Sequence, residues 1–177
     1  MVENNSEKNI TLYPYGLVSR SETTSENSTK VVHEGVAGVL DSTLKEIKFS
    51  TLKEDKKETF TSNGGWAGFS DHYWLSALIL DNNSESRVKF STPLDNTYQT
   101  DFVGQPLTIT SGTVGTFNSK FFAGAKEIKL LDQYAKKFNI EKFDLAVDFG
   151  WYYFLTKPFF YILDFLYHFI GNMGWAI

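Results

Sequence analysis

Ser70-Asp71-His72 places the three residue types of an acyl-transfer relay side by side. Adjacent side chains point in different directions on a strand or a helix, so these three cannot pass a proton among themselves. Tyr73 and Trp74, which follow directly, argue for a packed or surface structural position. The histidines His33, His72 and His168 lie far apart, and none falls in a metal-ligand spacing such as H-E-x-x-H. Asp144 and Asp148 are four apart and can share a helix face, but no third group suggests general acid–base work. A solvated pair is the default reading. The chain has no cysteine, which excludes a thiolate nucleophile, a thiolate metal site and a disulfide framework. It also lacks G-x-G-x-x-G and the P-loop, so the residues call for no catalytic group, no metal and no cofactor. The expectation is a non-enzymatic protein.

Charge narrows the partners. Lys and Arg number 17 against 21 Asp and Glu, a formal charge of −4, and the cations are scattered rather than striped. Nucleic acid is therefore not an expected partner. The 177 residues suffice for one ordinary domain. The start, Met1-Val2-Glu3-Asn4-Asn5-Ser6-Glu7, is polar and acidic, without the basic opening and apolar stretch of a signal peptide. A function outside the cytoplasm would need an export address from an upstream part.

The elements that must carry these residues are of two kinds, meeting near residue 148. Up to about residue 124, short β-branched and aromatic runs alternate with turn chemistry. The runs include Ile10–Val18, Val31–Leu40, Glu58–Thr61, Tyr73–Leu80, Arg87–Ser91 and Pro106–Thr110. Ser62-Asn63-Gly64-Gly65, Asp81-Asn82-Asn83-Ser84 and Ser111-Gly112 separate them. This spacing predicts an antiparallel sandwich. Ser21–Lys30 reads as a solvated loop. Over Ala125–Asn139, the apolar Ile128, Leu130, Leu131, Tyr134, Ala135 and Phe138 recur at helical spacing. That predicts an amphipathic helix packed on a sheet.

Beyond Asp148 the chain becomes aromatic. Pro158 suits the first turn of a helix running to about Ile170. Lys157, Tyr161, Asp164 and His168 form one narrow polar line along it. At about 1.5 Å per residue it would be about 20 Å long, short of a hydrocarbon core of about 30 Å. As a core helix it would need cover around nearly its whole circumference, and a sandwich offers one face. As an interfacial helix it buries its greasy side in the headgroup boundary. The membrane-surface residues are then Trp151, Tyr152, Phe154, Phe159, Phe160, Leu163, Phe165, Leu166 and Phe169. Near-zero local charge implies insertion driven by apolar area, with little dependence on anionic lipid. Gly171-Asn172 ends the helix, and residues 172–177 look like the first turn of another.

Three blocks of sequence are less generic. They are Tyr13-Pro14-Tyr15-Gly16-Leu17-Val18-Ser19-Arg20, the stretch Gly64 to Ile79 with Gly64-Gly65-Trp66-Ala67-Gly68-Phe69, and Phe143-Asp144-Leu145-Ala146-Val147-Asp148-Phe149-Gly150-Trp151. The last continues through Lys157-Pro158-Phe159-Phe160 to Gly171-Asn172-Met173-Gly174. In order and spacing they resemble the YidC/Oxa/Alb membrane protein insertase family, in the later part of its periplasmic domain, the amphipathic helix and the start of the second transmembrane helix. Trp74 and Leu75 resemble alphaproteobacterial members.

The resemblance implies a mainly β fold: part of an antiparallel, galactose-mutarotase-like β-supersandwich with C-terminal helices. Its domains would be 1–147 (periplasmic), 148–171 (interfacial helix) and 172–177 (the start of a transmembrane helix). It implies a bacterial inner-membrane location on the periplasmic face, and a role as insertase and chaperone for nascent membrane proteins. The implied partners are the lipid surface, the Sec translocon and SecDF. The family's intramembrane arginine matches no position here. Because the resemblance begins partway through the family's domain, the chain is expected to be a fragment, with uncovered strand edges and a tendency to dimerise or aggregate. The alternative is a carbohydrate-binding or aldose-epimerase-like sandwich, which would want a histidine and a carboxylate converging in a cleft.

Overall fold

The computed structural model describes residues 1–21, 35–94, 97–147 and 153–170, and in the last helix the side chains of residues 155–168. The chain divides into two compact units, Met1–Ala146 and Val147–Ile177. Expectations for Ser21–Lys30 beyond its first residue, for His33, Asp148, Trp151 and Tyr152, and for the segment after Ile170, lie outside the described residues.

The first unit is an antiparallel β-sandwich. Its strands are β1 (Val2–Glu3), β2 (Ile10–Leu12), β3 (Tyr15–Ser21), β4 (Gly35–Leu40), β5 (Thr43–Lys48), β6 (Lys57–Ser62) and β7 (Trp66–Ser70). They continue with β8 (Trp74–Ile79), β9 (Ser86–Leu94), β10 (Thr97–Gly104), β11 (Leu107–Ile109), β12 (Val114–Gly115) and β13 (Lys120–Ala125). One sheet runs β3-β10-β9-β6, the other β13-β8-β7-β4-β5. Two small ladders, β1 with β12 and β2 with β11, complete the strand pairing among the described residues.

Burial shows which sheet is covered twice. In β3 exposure alternates residue by residue, so one face meets solvent. In β4 and β7 every residue is buried. Val36, Phe69 and Leu78 face the other sheet and join Val88, Phe90, Tyr98 and Phe102 in the core between the sheets. The alternate residues of the same strands point the opposite way, and there a helical layer covers them. That layer is α2 (Ile128–Phe138) and a 3₁₀ turn at Phe143–Ala146. Phe143 is fully buried, with its ring edge-on to Trp66 at 5.7 Å and to Phe122 at 5.3 Å. Leu131 of α2 is also fully buried.

Two of the passages between the sheets use short devices. Helix α1 (Phe49–Asp55) carries it from β5 to β6 and buries Leu52, while Phe49 packs against Tyr98. From β6 to β7 it turns at Gly64 and Gly65, with φ of 79° and 90°. A Cβ on Gly65 would run into the carbonyl oxygen of Val39. Glycine is required there by conformation and by space. Ser62 ties the turn down, its hydroxyl accepting from the Asp41 amide at 2.7 Å and donating to the Gly64 carbonyl at 2.8 Å.

The second unit has one described element, α3 (Tyr153–Ile170), 18 residues long. It begins five residues before Pro158, where the sequence reading had begun it. Proline's fixed φ is compatible with a helix, so its presence here removes one hydrogen bond, to the carbonyl of residue 154, without stopping the chain. At 18 residues the helix is about 27 Å long rather than about 20 Å. Among the described residues, no helix is long and apolar enough to cross a membrane.

Candidate functional site

Helix α3 is built from bulky apolar residues on nearly all sides. A single helix cannot cover its own circumference, and the side chains show it. Phe165 is 68% exposed and Phe159 54% exposed, with Phe160 exposed as well. Leu163 and Leu166 are half-buried. Phe154 and Phe169 belong to the helix, but their side chains, like Trp151 and Tyr152 altogether, fall outside the description. The exposed set also includes Leu155, Ile162 and Tyr167, which the sequence reading did not single out. The signal that would have found them is the helical projection itself. On the polar line, the His168 ring nitrogen Nδ1 lies 2.8 Å from the Asp164 carbonyl oxygen and 3.7 Å from its carboxylate. The line is thus partly satisfied within the helix, a spacing of one turn.

The residues that resemble a relay are held apart by their partners. Ser70 accepts from the ammonium of Lys126 at 3.1 Å. Asp71 takes an ion pair with the guanidinium of Arg20. The His72 ring is exposed and packs edge-on to Tyr73 at 4.1 Å. No hydrogen bond links the three in sequence. Arg20 and Asp71 are 51 positions apart, and their meeting is invisible in either local pattern. It joins β3 of one sheet to the β7–β8 turn of the other. Arg20 also stands over the Phe49 ring, 5.4 Å from its centre. The pair closes one end of a cleft of about 500 Å³ lined by Val18, Trp74, Ser76 and Ala123 among others. Its guanidinium is matched by a carboxylate, so the cleft offers packing and no net charge. Trp74, 62% exposed, forms the rim.

A second cleft, of about 590 Å³, runs between β13 and α2. Phe122 and Tyr134 meet edge-on in it at 5.9 Å, and Phe143 forms its floor. α2 ends at Asn139, which adopts the left-handed conformation that closes a helix, and Lys136 and Lys137 in the last turn suit the negative end of the helix dipole. Among the described residues, no group of three or more acidic residues and histidines is placed to hold a metal ion. What the two units present is surface: an apolar helix, and a sandwich with clefts.

Comparison with known proteins gives the family. A family model described as the YidC periplasmic domain matches residues 1–162. Curated relatives carry the name membrane protein insertase YidC. That of Rickettsia akari is 41% identical over 180 residues, covering 99% of this chain and 32% of the relative. That of Rickettsia felis is 40% identical over the same coverage. That of Beijerinckia indica is 43% identical over 184 residues, covering 99% of this chain and 30% of the relative. The chain thus spans about a third of the length of the relatives it matches.

Proposed function

The chain belongs to the YidC family of membrane protein insertases, and from that membership we propose that it serves as the periplasmic scaffold and membrane-surface helix of such an insertase. The sandwich is the scaffold and partner surface on the periplasmic face of a bacterial inner membrane. Helix α3 lies along the lipid boundary with Phe159, Phe160, Leu163, Phe165 and Leu166 in the acyl region and Lys157, Asp164 and His168 in water. The protein helps nascent membrane proteins to insert and fold, alone or beside the Sec translocon and SecDF. Its contribution is binding and orientation, with no covalent chemistry.

The observation that carries this reading is the exposed aromatic circumference of α3, interrupted by a single polar line. Trp and Tyr side chains prefer a boundary with one apolar and one wet side, and a helix of this composition gains most by lying in one. The carbohydrate-binding or epimerase alternative is not favoured. Its histidine and carboxylate would converge in a cleft, whereas Asp71 is committed to Arg20 and His72 faces away into solvent.

Flotation with liposomes of neutral phospholipid tests the proposal. The full chain is expected to float with the vesicles, and the triple substitution Phe159→Asp, Phe160→Asp, Phe165→Asp to remain at the bottom. Each buried phenylalanine is worth about 1.5–3 kcal/mol of apolar transfer, so the loss should exceed a hundredfold. A triple variant that floats like the parent would sink the membrane-surface assignment.

A further inference from the structure

The cleft between β13 and α2 has a charge character that the rest of the chain does not share. The protein as a whole is acidic, with a formal charge of −4. The lining of this cleft, among the described residues, contains Lys120 and Lys137 and no carboxylate. Behind the two ammonium groups the wall is apolar, made by Phe122, Leu130, Tyr134, Phe138 and Phe143. Lys137, exposed to solvent, lies 5.2 Å from the centre of the Phe138 ring, so one cation stands beside the apolar wall. A volume of about 590 Å³ sits inside the range of about 300–1,000 Å³ typical of small-ligand sites. An apolar trough with two exposed lysines in its lining complements one kind of guest.

We propose that this cleft binds a single-chain anionic amphiphile, its acyl chain along the aromatic wall between β13 and α2 and its acidic headgroup at Lys120 and Lys137. Desolvated apolar area supplies the affinity, and the ammonium groups set the orientation and select against cationic and uncharged heads. The described lining belongs to the first unit, and the proposal does not depend on the membrane reading of α3.

Dodecanoate, kept below its micelle concentration and added to the full chain, is the probe, with amide NMR shifts as the readout. Shifts are expected at Lys120–Gly124 and Leu130–Phe138, and they should survive Phe159→Asp, Phe160→Asp, Phe165→Asp in α3. The double reversal Lys120→Glu, Lys137→Glu is expected to weaken dodecanoate at least tenfold and to favour dodecyltrimethylammonium instead. Lys120→Gln, Lys137→Gln is the gentler pair should the reversal disturb folding, with a smaller loss in the same direction. Dodecyl maltoside should bind the parent more weakly than dodecanoate. Shifts confined to residues 155–168 would overturn the proposal, as would equal binding of the cationic and anionic probes. Shifts at Leu130–Phe138 of α2 with protein concentration alone would make the occupant of the cleft a second copy. Shifts there with an acidic leucine-rich peptide but not with dodecanoate would make it a polypeptide. Either result refutes the amphiphile.

Discussion

Arg20 works by reaching across the sandwich. It pairs with Asp71 and packs on Phe49, and both members of the ion pair are about 30% exposed, which keeps the charge term small. The double-mutant coupling of Arg20→Ala and Asp71→Ala should come to about 1 kcal/mol or less in urea unfolding. Arg20→Ala alone should cost more than Asp71→Ala, because it also removes the contact with Phe49; equal costs would refute that role. Thr100 offers the opposite case. It is fully buried on the core-facing side of β10, between Tyr98 and Phe102, and its hydroxyl finds no partner among the described residues. Thr100→Val keeps the shape and removes the unpaired polar atom, so stability should rise by about 1 kcal/mol. A drop of that size would mean that the hydroxyl is satisfied after all. Gly65→Ala forces a side chain into the Val39 carbonyl at positive φ and should cost about 2 kcal/mol or more by the same measurement.

At the scale of elements, α3 carries its proline in the second turn, a choice that sequence patterning alone put in the first. The local rule that proline opens helices is sound. Here a run of aromatic residues upstream extends the helix backward, and the missing hydrogen bond is tolerated. Pro158→Ala should therefore raise the helical circular-dichroism signal of the chain on vesicles, since a helix-interior proline costs about 3 kcal/mol. No change in helicity would place the start of the helix at Pro158. The central strands β4 and β7 of the five-stranded sheet differ from β3 of its partner in their burial. Gly35–Leu40 and Trp66–Ser70 are unbroken apolar or small runs, the mark of burial on both faces, whereas Tyr15–Ser21 alternates.

Across the whole molecule, the sandwich keeps exposed apolar groups at one edge. β13 borders the five-stranded sheet; Phe121 near one end of it is 56% exposed, and Trp74 of β8, paired with Ala125 at the other end, is 62% exposed. A flat apolar edge strand is a template for pairing with another chain. Sedimentation should show concentration-dependent self-association of the full chain in detergent-free buffer. Phe121→Lys should shift the midpoint toward monomer by tenfold or more. A parent that stays monomeric while melting in one sharp step would contradict this.

Composition and periodicity by themselves determined the class: a sandwich first, an amphipathic helix within Ala125–Asn139, then an aromatic helical tail. The three sequence blocks carried the family. These features are legible because burial of one face imposes a period of two or 3.6 on the residues themselves. Tertiary structure alone decided that Ser70 and Asp71 have separate partners, Lys126 and Arg20, and that Phe143 plugs against Trp66. It also decided that Lys120 and Lys137 share one apolar cleft. Those pairings join residues from 17 to 77 positions apart by subtraction of their numbers. No local pattern encodes them; the crossing of two sheets and a covering helix brings them together, because only that packing removes both faces of the central strands from water.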